Sequence, residues 1–163
     1  GGQNEPRDAI AGTIWALLTH QDQLDLILSN KYSWLNAFEE YSRWMSPIGM
    51  SPRRITKDII IENIQFKKDE RVFFMFGSGN RDEEIFDNPE EYNITRKLNA
   101  SLAFGAGPHF CAGAWISRCL IGEVALPLLF EYFPNIKLDF SRSEVSFVGW
   151  AFRGPIEVNC IYN

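Results

Sequence analysis

"LAFGAGPHFCAG", residues 102–113, brings three glycines, His109 and Cys111 together where the chain enters the long apolar run "AGAWISRCLIGEVALPLLFEYF", 112–133. Gly105 and Gly107 open backbone conformations closed to other residues and let the chain lie against a flat ligand. Cys111 is expected at a helix start, where free N–H groups and the helix dipole favour a thiolate. Taken alone, a cysteine ahead of an apolar helix is most often a small core residue. Its glycine-rich setting places a ligand reading beside that one.

One thiolate with no second ligand nearby suits a metal whose other positions are filled from elsewhere. Haem iron meets that requirement, because the porphyrin supplies four nitrogens and a cysteine thiolate can take an axial position. Zinc needs three or four converging protein ligands, and only His109 and Cys111 stand together here. A thiol-reactive or zinc-binding protein is therefore the weaker alternative.

"FGAGPHFCAG" resembles the haem-binding signature of the cytochrome P-450 monooxygenases, F-G-x-G-x-H-x-C-x-G. Phe104, Gly105, Gly107, His109, Cys111 and Gly113 all match it. Other blocks follow in the family's order. Glu40 and Arg43 in "FEEYSRW" match the E-x-x-R of its K helix, and "SPIGMSPRRITKD" is similar to the segment after it. "NRDEEIFDNPEEY" resembles the family's meander, and "WAFRGPIEV" its C-terminal hairpin. The resemblance covers essentially the whole chain. It implies a mainly α fold with small β-sheets, the C-terminal part of the cytochrome P-450 fold. Residues 1–163 then read as a partial domain, from the oxygen-activating helix to the C-terminus, with the N-terminal part absent. The opening "GGQNEPRDAIAG", without an initiator methionine and helical almost at once, reads the same way.

The resemblance assigns roles residue by residue. Cys111 would be the axial ligand of haem b (iron protoporphyrin IX), its electron donation favouring O–O cleavage. Phe104 would shield the thiolate from water. His109 and Arg53 would bind the propionates, the arginine through a charge-assisted pair. Gly105 and Gly107 would shape the loop, and Gly113 would let the last helix pass close to the ring. Glu40 and Arg43, three apart on one helical face, would form a buried structural pair rather than a catalytic one. By themselves they would be an ordinary surface pair. Substrate contacts would come from Ile48, Gly49 and Met50 and from Trp150, Ala151 and Phe152, whose character implies an apolar or aromatic substrate.

Two positions depart from the family pattern. Asn4 and Glu5 stand where an acid–alcohol pair usually manages protons for oxygen activation. Glu5 could still deliver protons through water; equally, it is an acid in a first helical turn beside Pro6, where acids are favoured anyway. Glu91 stands where many members place arginine or histidine as third partner of the Glu–Arg pair, and a carboxylate cannot fill that role.

Composition bounds the rest. The chain has 163 residues, 45% hydrophobic and 23% charged, enough for one domain with a real core. A net charge of −5 without a long basic run argues against nucleic acid. No apolar run is long enough to span a bilayer, so no membrane partner is expected. Cys111, Cys119 and Cys160 are odd in number and widely spaced, which fits a reducing, cytoplasmic setting better than a disulfide framework. Cys119 and Cys160 read as core residues, His20 as a helix-end or surface histidine, and Phe73, Phe74, Phe76 and Phe86 as packing.

Apolar spacing predicts helix over 6–29, broken around His20 to Asp22, and a second helix over 33–46, stopped by Pro47. "DIIIENIQF" and "ERVFFMF" are expected to pair as a hairpin through "KKD". The helix over 112–133 is apolar nearly all round, with a possible kink at Pro127; unpaired, it would leave a sticky patch. A missing N-terminal portion, a second chain or self-association would cover it. "EVSFVGW" and "IEVNCIY" read as strands.

Two functions follow. The first is the haem-ligating portion of a bacterial-type monooxygenase that takes electrons from a ferredoxin or flavin donor and oxidises a small organic substrate with O2. Arg96, Lys97 and Arg118 are the candidate contacts for an acidic donor. The alternative is a truncated, non-catalytic haem-binding or assembly subunit.

Overall fold

The computed structural model describes residues 2–98, 100–142 and 144–162. Helix α1 (Asn4–Thr19) ends at His20, whose ring Nδ1 lies 2.8 Å from the Ala16 carbonyl, and α2 (Gln21–Leu28) starts directly after it. The predicted break and the helix-end histidine are both found. Helix α3 (Trp34–Met45) begins with a capping box. The Ser33 hydroxyl accepts from the Asn36 amide at 3.3 Å, and the Asn36 side chain accepts from the Ser33 amide at 3.0 Å. It ends where Ser46 turns left-handed (φ 47°) before Pro47.

Strand β1 (Ser51–Arg54) is followed by β2 (Ile59–Ile61), β3 (Ile64–Phe66) and β4 (Arg71–Phe74). The expected hairpin is corrected here. "DIIIENIQF" folds on itself, β2 pairing antiparallel with β3, while β4 pairs with β1 in the register Arg53↔Val72. The cause is turn chemistry: Glu62 and Asn63 both take positive φ (48° and 68°), the conformation a two-residue hairpin loop requires. The "KKD" segment, with Asp69 at φ 70°, instead leads the chain back to β1. Phe73 and Phe74 are exposed and not core; Phe86 is buried as expected.

After the short α4 (Phe76–Gly79) comes a long irregular segment. The last helical stretch is then assembled from α5 (Ala114–Ser117), a π-helical segment (Arg118–Ala125) and α6 (Leu126–Tyr132). Pro127 sits at the start of α6 and lacks the N–H a regular α-helix would use there; the irregularity it imposes takes the form of the π-helical segment ahead of it. Short strands β5 (Lys137–Leu138), β6 (Phe147–Val148), β7 (Gly154–Pro155) and β8 (Cys160–Ile161) close the chain, pairing β5 with β8 and β6 with β7. Strands β6 and β7 form a hairpin over the stretch that the resemblance marks as one, although Gly154 and Pro155 carry no strand signal of their own.

The core lies between α1, α3 and the π-helical segment. Leu17, Ala37, Phe38, Tyr41, Ile121 and Leu126 are each at most 2% exposed. Full burial of a side chain such as Leu17 or Phe38 is worth roughly 1.5–3 kcal/mol. Gly122 permits the close approach of α3: a Cβ there would stand 2.9 Å from the Leu35 Cα. The opposite face of the last helix is open, with Trp115, Ile116, Leu120, Val124, Leu128 and Tyr132 all exposed. Cys119 is exposed as well, against the core reading; Cys160 is half-buried.

Tyr41 meets α1 at Gly12, where a Cβ would fall 1.8 Å from the phenol oxygen. That oxygen is buried with no hydrogen-bond partner among the described residues. Burial, and then the charge of Asp8, push the phenol well above its ordinary pKa. Tyr41→Phe removes an unsatisfied group and keeps the ring. Urea unfolding is expected to give unchanged stability or a gain of about 1 kcal/mol, not the usual loss.

Candidate functional site: a glycine-shaped cysteine loop over a buried ion pair

The loop over 102–113 is held by its own backbone and by one buried side chain. The Leu102 amide donates to Asn80 Oδ1 at 2.7 Å, and the Asn80 amide group donates to Ser46 Oγ at 3.0 Å. The loop is thereby tied to the C-cap of α3. Gly105 (φ 70°) turns the chain, Gly107 (φ 64°) opens a 3-10 turn over Gly107–His109, and the Cys111 amide closes the loop on the Phe104 carbonyl at 2.9 Å. Phe104 packs edge-on against Phe38 of α3 at 6.2 Å, with the Arg118 guanidinium 4.7 Å above its ring.

Cys111 stands two residues ahead of the helix cap, Gly113, and not on the first turn itself; its carbonyl accepts from the Ala114 amide at 3.2 Å. Its thiol is exposed, and so are Phe110 and Ile116 beside it. A Cβ on Gly107 would meet nothing within 4 Å, and one on Gly113 would make only ordinary contacts, the nearest 3.7 Å from Cys111 Sγ. The chain's own atoms therefore do not demand glycine at 113. An open face of exposed thiol, bare glycine and apolar side chains fits a flat apolar group carrying a metal. Among the described residues no three His, Cys, Asp or Glu side chains converge as a metal site. Such a metal would have to bring its remaining ligands with it.

Beneath the loop lies the Glu40–Arg43 pair, both side chains at most 1% exposed. The contact is bidentate, Arg43 Nε to Glu40 Oε2 and Nη2 to Oε1, each 2.8 Å. Arg43 also donates to the carbonyls of Asn80 (2.8 Å), Pro89 (2.8 Å) and Glu91 (3.0 Å). The segment over 80–96 is thus wound around one guanidinium. Glu91 contributes only its carbonyl to this centre, and its carboxylate is no obstacle. The third charge is Arg96, whose Nε reaches Glu40 Oε1 at 3.2 Å and whose other nitrogens donate to the Asp87 and Asn88 carbonyls.

Arg96 is therefore withdrawn from the expected docking patch, its side chain only 9% exposed. Arg118 is committed too, 2.6 Å from Glu39 Oε1. Lys97 alone of the three is exposed and has no ion-pair partner among the described residues. Arg96 and Asn80 were missed as structural centres. Their signal was faint: a lone arginine and a lone asparagine inside a polar stretch.

Elsewhere, Asn4 is exposed and Glu5 half-buried in the first turn of α1, with Glu5 Oε2 accepting from the Gly2 amide at 3.3 Å. His109 is exposed. Arg53 donates to Ser51 Oγ at 2.7 Å and to the Pro52 carbonyl at 2.8 Å, and lies over Phe74. No contact among the described residues joins Arg53 to the cysteine loop. The two segments expected to face substrate do meet: the Gly49 amide donates to the Ala151 carbonyl at 3.0 Å, and Ile48 bridges Phe152.

A family model described as Cytochrome P450 matches residues 35–139. The steroid C26-monooxygenase of Mycolicibacterium smegmatis is 35% identical over 118 residues, 72% of this chain and 29% of its own length. The biotin biosynthesis cytochrome P450 of Bacillus subtilis is 34% identical over 137 residues, 84% of this chain and 34% of its own. The chain thus spans about a third of the length of these relatives. Among solved structures, CYP109E1 from Bacillus megaterium in complex with testosterone superposes with a TM-score of 0.92 at 28% identity, covering 100% of this chain and 45% of that one. P450BioI in complex with an acyl carrier protein gives 0.90 at 31% identity, covering 99% and 42%. No helix among the described residues is long and apolar enough to cross a membrane. Matched by the family model across most of its length and superposing whole on several members, the chain belongs to the cytochrome P450 family.

Proposed function

We propose that the chain is the haem-ligating, C-terminal portion of a haem-thiolate monooxygenase. The exposed thiol of Cys111, on a glycine loop that leaves an open apolar face, carries this reading. Haem b, when bound, supplies O2 activation: one oxygen atom enters the organic substrate by hydroxylation or O-dealkylation, and the other leaves as water with two electrons and two protons. Cys111 holds the iron as a thiolate. Phe104, anchored on α3, excludes water from the sulfur, and His109 and Arg53 pair with the propionates. Only Arg53 Nη1 is engaged, by Ser51 Oγ and the Pro52 carbonyl, which leaves Nε and Nη2 for a propionate. Glu5, half-buried at the head of α1, passes protons from its carboxylate, with Asn4 beside it. Electrons come from a ferredoxin or flavin-type donor.

Ile48–Met50 and Trp150–Phe152 line the substrate side, and their composition favours a small apolar or aromatic substrate. One relative is named a steroid C26-monooxygenase and one similar structure holds testosterone, and both support an apolar substrate. Turnover with a reductase separates this reading from a haem-binding subunit without a pocket.

Two exposed cysteines make an internal control. In the haem-free protein, iodoacetamide is expected to modify Cys111 and Cys119 at similar rates, with the half-buried Cys160 slower because burial raises its pKa. Haem should protect Cys111 and leave Cys119 reactive, as read by peptide mass spectrometry. Equal labelling of Cys111 with and without haem would remove the thiolate ligand from the proposal.

A further inference from the structure

We infer that Arg153 is a positioning residue for substrate: a strut that fixes the spacing between the two apolar segments Ile48–Met50 and Trp150–Phe152. This rests on the monooxygenase reading for its functional half. Trp150, Ala151 and Phe152 form the tip of the β6–β7 hairpin, and Arg153 stands at its base. The tip is a tight turn: Gly149 has φ 93°, and a Cβ there would fall 1.7 Å from the Phe152 carbonyl oxygen.

The Arg153 amide donates to the Pro47 carbonyl at 2.8 Å, which registers the hairpin against the end of α3. Its side chain then runs across two glycines in succession. A Cβ on Gly49 would stand 2.7 Å from Arg153 Cδ, and one on Gly77 would stand 2.7 Å from Nη1. The stem occupies the seat at Gly49 and the guanidinium the seat at Gly77. These two glycines are themselves joined, the Gly77 amide donating to the Gly49 carbonyl at 3.0 Å.

No acceptor among the described residues hydrogen-bonds or ion-pairs with the guanidinium, although an arginine carries five donors. Its charge is felt at the Tyr41 phenol and at Arg81, a second cation. Arg153 therefore acts here by shape. At Gly49 a Cβ would meet the Trp150 carbonyl oxygen at 2.4 Å before it met the arginine stem, and at Gly77 it would displace Nη1, so the arginine occupies space that both glycines leave open. Backbone bonds already join the segments 47–49, 77 and 150–153, from the Gly49 amide to the Ala151 carbonyl, the Arg153 amide to the Pro47 carbonyl and the Gly77 amide to the Gly49 carbonyl; the side chain fills the space between them and holds that spacing.

The experiment uses the protein in its full natural length, with two readouts. Hydrogen exchange at the Gly49 and Gly77 amides reports the strut without any turnover. Affinities for imidazole and 4-phenylimidazole report the pocket, because the small ligand needs only the haem and the large one also needs the walls. Arg153→Ala is expected to speed exchange at both amides. Arg153→Met keeps the stem, so it should speed exchange at Gly77 alone. Arg153→Ala should also weaken 4-phenylimidazole about tenfold relative to imidazole, since displacements near an ångström carry costs of that order or more.

Gly49→Ala, which keeps the arginine but pushes on the Trp150 carbonyl 2.4 Å away, should shift the same ratio if Arg153→Ala does not fold. Unchanged exchange in Arg153→Ala overturns the strut. Faster exchange with an unchanged ligand ratio overturns its role in the pocket. Failure of the parent protein to bind imidazole overturns the haem reading, while the exchange data still decide the strut.

Discussion

Cys111→Ser is expected to abolish the red-shifted Soret band that thiolate-ligated haem gives when reduced under carbon monoxide, whereas Cys119→Ser and Cys160→Ser leave it in place. The loop does not rely on the sulfur for its shape: it is closed by the Cys111 amide on the Phe104 carbonyl and by the Leu102 amide on Asn80. Serine keeps both, so the loss would be one of ligation and not of fold. Haem affinity should fall by more than the roughly 10–100-fold that losing an outer partner of a metal ligand costs. Turnover should fall with it. A thiolate-type band surviving in Cys111→Ser would move the ligand to another residue. Exposed Cys119, in the first turn of the π-helical segment, would then be examined next.

The second large effect is expected at Glu40. Among the described residues it is the one carboxylate paired with two guanidinium groups, Arg43 and Arg96, at a site where Glu40 and Arg43 are both sealed from water. Glu40→Ala leaves two cations uncompensated and frees the Asn93 amide that Glu40 Oε1 accepts at 3.0 Å. Removing one partner of a buried pair costs about 3–5 kcal/mol. Against a total stability of about 5–15 kcal/mol, that threatens the fold itself. Arg43→Ala should be comparable, because it also abandons three backbone carbonyls. Arg96→Ala should be milder, about 1–3 kcal/mol, since Glu40 keeps its bidentate partner. Glu91→Ala should lie within about 0.5 kcal/mol of the parent, because only its carbonyl is used. Denaturant midpoints of the four variants give this order. A Glu91 variant as damaging as Glu40→Ala would assign the carboxylate a role the geometry denies it.

The helices were legible because their signals are local. The Ser33 cap, the Pro47 stop and the break at His20 each depend on residues within one turn. The cysteine loop was legible because its glycines do need positive φ at 105 and 107. The β pairing was not, since Glu62 and Asn63 do not advertise a two-residue turn as Asn-Gly would. The Arg96 contact was hidden for a different reason. Which arginine in a polar segment reaches a buried carboxylate is decided by how the whole segment winds, and no spacing rule encodes that. The meeting of Ile48–Met50 with Trp150–Phe152 was legible through the family resemblance alone, because the two stretches are far apart in the chain and joined by backbone bonds that any sequence could make.

The winding around Arg43 also sets an order in time. Glu40 and Arg43 leave the ribosome well before the groups that satisfy them: Asn93 follows Glu40 by 53 residues and Arg96 by 56. Until those residues have emerged, α3 carries a charged centre that cannot be buried without heavy desolvation cost. The early helices must therefore wait, with the charged side of α3 kept in water, and docking of the whole unit becomes a late, long-range event in synthesis rather than a step-by-step accretion.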